Sequence, residues 1–270
     1  MREESVRLGH ANEWLHGSLH EPDEAARGAA LICAPLFEER KSAQRALVEF
    51  ARALCRAHWL VLRFDYRGCG DSAGDFDAYS VPDWQEDVRE AAAFLRARGP
   101  DLPLALIGLR LGGALALRSA GACAAETVAL WAPALDGRRY LRDVLRRKMV
   151  KEMMGQGQAR TRRNDCFEDL EAGRRLDFDG YAVTSRLYRD LAALVPPANG
   201  EPSPRRALLA HVGPNERLPT DLTAWAAALA ASGCRADTVA FRLPPFWSLI
   251  GYADTAPLAE RTIRWMEEER

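Results

Sequence analysis

Residues 106–113 read LIGLRLGG. An apolar run of strand length, PLALIG at 103–108, ends at Gly108. Arg110 then stands alone before a segment rich in small residues, LGGALALRSAGA. Apolar run, glycine punctuation and small-residue helix predict a buried strand, a sharp turn that presents one residue, and a helix packed close behind it. The presented residue is a guanidinium.

The same strand–helix rhythm extends in both directions. GAALICAP (28–35) is a continuous apolar run, as expected of a strand covered on both faces. A helix is expected over 42–58, where Ala46, Leu47, Phe50, Leu54 and Ala57 recur at three and four residues. WLVLRFD (59–65) predicts a strand, and residues 81–98 a helix with Pro82 near its start and Gly99-Pro100 at its end. TVALWAP (127–133), RALLAHVG (206–213) and RADTVAFRL (235–243) predict further strands, with helices over 221–233 and at the end of the chain. ESVRLG and EWLHGSLHEP predict an antiparallel pair at a sheet edge. Such alternation with short connections implies an α/β, mostly parallel, doubly wound sheet. Residues 136–204 break the rhythm and are too long for a plain loop. They are expected to form a helical lid inserted after the sixth strand, over a core of residues 1–135 and 205–270.

Composition narrows the function classes. The chain has 270 residues, 48% of them hydrophobic, and a formal net charge of -1, so it offers no global basic field for nucleic acid. The local basic runs 136–151 and 159–165 read as a solvated helix face or a protein-facing surface. No window approaches the ~20 apolar residues of a membrane span, and the charged N-terminus lacks an apolar signal core. Cys33, Cys55, Cys69, Cys123, Cys166 and Cys234 are scattered without metal-site spacing. A cytoplasmic protein with reduced thiols, no metal and no cofactor is expected. No nucleotide-binding glycine motif stands at a first strand.

The order of elements resembles the α/β-hydrolase fold, whose G-x-S-x-G nucleophile elbow lies where GLRLGG lies here. RFDYRGCGDSAGDF (63–76) resembles the loop after the fourth strand in the serine-aminopeptidase-like branch. PLFEERKSAQR, FDYRGCGDSAGDF, GLRLGG, WAPALDGRRYL, DGYAVTSRL and LPPFW, in that order, resemble the second type of exosortase A system-associated hydrolases. That resemblance implies a bacterial setting concerned with exopolysaccharide and surface-protein sorting. It also implies that arginine at the elbow is a family trait. Superfamily correspondence puts the nucleophile at Arg110, the acid at Glu216 beside Asn215, and the base histidine at Phe246 or Trp247. No serine or histidine stands at the first and third of these positions.

Arginine stays protonated and is no nucleophile. Of His10, His16, His20, His58 and His211, only His211 falls near the ligand-binding end of a core strand. Cys33 is expected inside a strand, and Cys69 and Ser72 in a tight glycine turn. Arg110, followed by Leu111 at a helix N-terminus, suits capture of an anion. It equally suits an internal bridge to Glu38 or Glu39. Phe37 and Trp247 are candidate apolar walls; Phe246 is a candidate wall or ordinary core.

The leading expectation is non-hydrolytic binding of a small anionic or acyl-bearing ligand by Phe37, Glu38, Glu39, Arg110, Leu111 and Trp247. One alternative is a hydrolase or lyase-type enzyme with Glu38, Glu39 or Glu216 as general base and Arg110 stabilising negative charge. Another is a scaffold with a protein partner or a second copy of itself.

Overall fold

A computed structural model describes residues 1–9, 12–156, 163–194, 204–249 and 251–268. His10 and residues 195–203, most of the expected linker that closes the insertion, lie outside them.

The core strands are β1 (Arg2–Leu8), β2 (Leu15–Glu21), β3 (Gly28–Cys33), β4 (Trp59–Phe64), β5 (Leu104–Leu109) and β6 (Thr127–Trp131). Residues 176–178 and 181–183 form a two-stranded hairpin, β7 and β8, and the core resumes with β9 (Arg206–Gly213) and β10 (Arg235–Arg242). One eight-stranded sheet runs in the order β1-β2-β4-β3-β5-β6-β9-β10. β1 pairs antiparallel with β2, and β2 with β4; every other neighbour is parallel. The N-terminal hairpin therefore completes the sheet. β3 and β5 are buried at every residue, which is why their sequences are unbroken apolar runs.

The helices are α1 (Glu38–Arg56), α2 (Val81–Arg98), α3 (Leu111–Ser119), α4 (Gly137–Gln156), α5 (Arg163–Glu171), α6 (Ser185–Ala192), α7 (Thr220–Ala231) and α8 (Ala256–Glu267). α1 and α8 cover one face of the sheet around Phe50, Trp131 and Trp265. α2, α3 and α7 cover the other around Trp84, Leu115 and Trp225. Trp131 locks the first layer: its ring lies 4.4 Å from that of Phe50, and its indole N–H donates to Thr262 Oγ1 at 3.0 Å. Truncating an aromatic so enclosed costs about 3–5 kcal/mol.

α4, α5, the β7–β8 hairpin and α6 all fall between β6 and β9, within the segment expected to be inserted. α6 packs on α2, and β8 packs on a short helical turn at Phe76–Ala78. α1 starts at Glu38, four residues before the expected start, because Phe37 takes a positive φ of 56° and turns the chain into the helix there.

His20 in β2 is wholly buried, and neither ring nitrogen has a hydrogen-bond partner among the described residues. Burial, then the Arg63 guanidinium, pushes its imidazole down to about 4, against weaker support from Glu3. The unfolded chain protonates it near 6.5, so the native state binds fewer protons between those values. Stability therefore falls as pH drops through that window, by up to about 3 kcal/mol. His20→Leu is expected to flatten this part of the profile. Urea unfolding between about pH 7 and pH 4 tests it; equal slopes for both proteins refute it.

Candidate functional site

β5 delivers Arg110 to the apex of a strained turn with φ 56° and ψ -121°. Non-glycine residues occupy that region only where their surroundings fix them. Here the Arg110 N–H donates to the Trp131 carbonyl at 3.0 Å, and its carbonyl accepts from the N–H groups of Gly113 and Ala134. The glycines are required by close approach. A Cβ on Gly108 would sit 2.4 Å from the Gly112 carbonyl oxygen, and one on Gly112 would sit 2.3 Å from the carbonyl oxygens of Cys33 and Ala34. Strand, turn and helix thus pack backbone to backbone.

The Arg110 side chain is mostly buried, and its environment is specific. Its Nε donates to Glu39 Oε1 at 3.2 Å and its Nη1 to the Ala132 carbonyl at 3.2 Å. The guanidinium carbon lies 5.6 Å from the Tyr140 ring centre and 5.1 Å from that of Trp247, within cation–π range. Glu39 is 1% exposed and serves two further donors from α4. Arg147 Nη2 stands 2.8 Å from Oε1, and the Tyr140 hydroxyl donates to Oε2 at 3.0 Å. Burial, reinforced by the Glu39 charge, holds the Tyr140 phenol well above its ordinary value, so it stays a neutral donor. One carboxylate therefore faces two guanidiniums.

Beside this cluster lies a cavity of about 170 Å³. Arg110, Tyr140, Asp143, His211, Asp221 and Trp247 are among its lining residues. Arg139 closes one side by pairing with Asp221 at 2.6 Å. Burial lowers the His211 pKa from its usual value, opposed by Asp221.

The other candidates are placed as follows. Glu38 turns away from Arg110 to Lys41 at 2.7 Å and Lys151 at 3.7 Å. Glu216 is exposed and does not line the cavity. Leu111 is fully buried behind the elbow, and Phe246 packs on Trp131 and Trp247. Phe37 stacks among Phe76, Tyr140 and Tyr181 at the seam between core and insertion, also away from the cavity lining. Burial pushes the Cys69 thiol up to about 12, and that of Cys33 higher still. The Ser72 hydroxyl donates to the Asp65 carbonyl, a turn contact. His16, Asp65 and Asp71 each bring one ligand-type atom within 4.8 Å of the others, but Arg40 already lies 3.2 Å from Asp65 as its counter-charge. Sequence reasoning did not single out Arg147, Asp143 or Asp221. The signal for two of them was the spacing Tyr140, Asp143, Arg147, which sets three polar side chains along one helical flank.

A mostly parallel eight-stranded sheet, helices on both faces and a strained turn after β5 define an α/β hydrolase fold. Within it, the chain belongs to the serine aminopeptidase S33 family, whose model matches residues 26–197. A mitochondrial palmitoyl-protein thioesterase, ABHD10, of Bos taurus is 38% identical over 94 residues, which is 34% of this chain and 28% of that protein. Est1E of Butyrivibrio proteoclasticus with bound ferulic acid superposes with a TM-score of 0.68 at 15% identity, covering 97% of this chain and 98% of that one. XC6422 of Xanthomonas campestris, described as an α/β serine hydrolase without lid, gives 0.56 at 20% identity over 91% and 86%. These structural likenesses speak for the fold. No described helix is long and apolar enough to cross a membrane.

The buried cluster predicts a double-mutant signature. Glu39→Gln leaves two guanidiniums without their carboxylate and is expected to cost about 2–4 kcal/mol, the lower end reflecting the partial exposure of Arg147. Adding Arg110→Met to Glu39→Gln is expected to recover about 1 kcal/mol or more. Denaturant unfolding of the four proteins measures this, and strict additivity refutes it.

Proposed function

We propose that this chain is a non-hydrolytic α/β-hydrolase-fold protein that takes the carboxylate or acyl end of a small ligand in the cavity beside Arg110. The carrying observation is the guanidinium at the elbow, held by Glu39 and the Ala132 carbonyl yet still lining a cavity. Arg147 brings the Glu39 cluster to two cations against one carboxylate, and of the carboxylates that line the cavity Asp221 is already paired with Arg139. Trp247 stands as a ring where the resemblance puts the base histidine, and it walls the cavity with Tyr140. A cavity near this size takes a group of about one aromatic ring, since an engineered apolar cavity of about 150 Å³ binds benzene. On this reading residues 136–204 are the lid, and Tyr140 and Arg147 are its contribution. Glu39, rather than Glu38 or Glu216, sets the local charge. The resemblance to second-type exosortase A system-associated hydrolases and a cytoplasmic location belong to the same proposal.

His211 favours a second reading. It lines the same cavity, with a lowered pKa that keeps it neutral near pH 7 and able to accept a proton. With Arg110 stabilising negative charge, the pair would serve a lyase or an activated-water hydrolysis.

One set of measurements separates the two. The binding reading predicts that short-chain carboxylates and benzoate raise the melting temperature by about 5 °C at a hundredfold excess over Kd. It predicts loss of that shift in Arg110→Ala, no labelling by a fluorophosphonate probe and no turnover of p-nitrophenyl esters. Ester turnover abolished by His211→Asn and by Arg110→Ala supports the second reading and overturns the first.

A further inference from the structure

The outer face of α4 carries a pattern that the cavity does not use. At 100° per residue, Arg138, Arg139, Arg142, Arg146, Val150, Met153 and Met154 fall on one side of the helix. All seven are exposed. Tyr140, Leu141, Val144 and Leu145 are buried on the opposite side. Val150, Met153 and Met154 are 48%, 56% and 85% exposed, and they are three of the five exposed large apolar side chains among the described residues. The other two, Met1 and Tyr252, lie elsewhere in the chain. Among the described residues Arg142 and Arg146 make no ion pair, whereas Arg139 is taken by Asp221. Of the acidic residues of the helix, Asp143 falls at the edge of this stripe, between Val150 and Met154 in angle, but it is half-buried and lines the cavity, and Glu152 lies off the stripe and pairs with Lys148.

We infer that this face docks on an anionic lipid bilayer. A helix with cations and unbranched or branched apolar side chains on one solvent face lies in the headgroup plane, apolar groups inserted and cations on the lipid phosphates. Each basic side chain near an anionic leaflet adds attraction that falls off within a Debye length. The helix is about 30 Å long by its rise per residue. Its inner face is fixed to the core through Tyr140 and Arg147. The stripe is therefore presented as a straight edge, suited to a flat surface. Charge complementarity favours an anionic surface. The three apolar groups at the far end favour one that admits insertion over an acidic protein groove, since Lys151, the basic residue among them, is turned to Glu38 and Asp179. The inference does not depend on what the cavity holds.

The test is cosedimentation of the full chain with vesicles of phosphatidylcholine alone and of phosphatidylcholine mixed with phosphatidylglycerol. Partition onto the mixed vesicles only is expected. Arg142→Glu with Arg146→Glu is expected to weaken it more than tenfold. Met153→Ser with Met154→Ser is expected to leave a weaker binding that molar salt abolishes, because charge attraction alone is screened there. Both pairs replace exposed side chains, and unchanged melting temperatures confirm their folding. No partition onto mixed vesicles, equal partition onto neutral ones, or unchanged binding by both variants overturns the inference. So does salt-sensitive capture by an acidic protein without vesicle binding, which assigns the face to a protein partner.

Discussion

The buried carboxylate of Glu39 is the contact on which the arrangement of core and insertion turns. It sits in the first turn of α1, where the helix dipole favours negative charge. A carboxylate so fully removed from water is tolerable only when its oxygens are saturated by donors. Three are supplied: one from the elbow after β5 and two from α4. The start of α1, the elbow and α4 are thereby tied at a single point. Neither guanidinium nor carboxylate is independently stable there. Each solves the desolvation problem of the other.

The elbow itself is indifferent to the chemistry it presents. Its φ and ψ are enforced by backbone hydrogen bonds to Arg110 and by the absence of Cβ atoms on Gly108 and Gly112, not by the side chain at 110. The turn that would raise a hydroxyl toward a carbonyl carbon raises a guanidinium with equal geometric ease. Fold and family therefore do not determine activity; the side chains set on the elbow and around it do.

The sheet was legible because burial on both faces demands unbroken apolar runs, and β3 and β5 show them. Ends were less so. The expected strand at 28–35 stops at Cys33, where Ala34 and Pro35 lead out of the sheet, and nothing in local propensity announces the positive φ of Phe37. The insertion looked irregular because cations occur around the whole circumference of α4, masking its period. Within the site, adjacent helix residues lie 100° apart, so Glu38 and Glu39 cannot both face the elbow. Sequence left that choice open; packing decides it. His211, Asp143 and Arg147 approach Arg110 only through tertiary folding, from strands and helices far apart in the chain.

Arg110 is matched to its place in a way lysine would not be. Its Nε and Nη1 satisfy two acceptors in different directions, Glu39 and the Ala132 carbonyl, while its flat faces lie near the rings of Tyr140 and Trp247. A guanidinium is planar, delocalised and more weakly hydrated than an ammonium, so it gives up water at smaller cost and stacks on aromatic rings. An ammonium is a compact, strongly hydrated charge with no face to stack and no fork to divide between two acceptors. In a pocket walled by two aromatic rings both ions are drawn to the ring faces, but only the first stacks flat on them, and the second gives up more hydration to reach them. The aromatic residues at 140 and 247 and the arginine at 110 therefore form one physical unit, with Glu39 as its counter-charge.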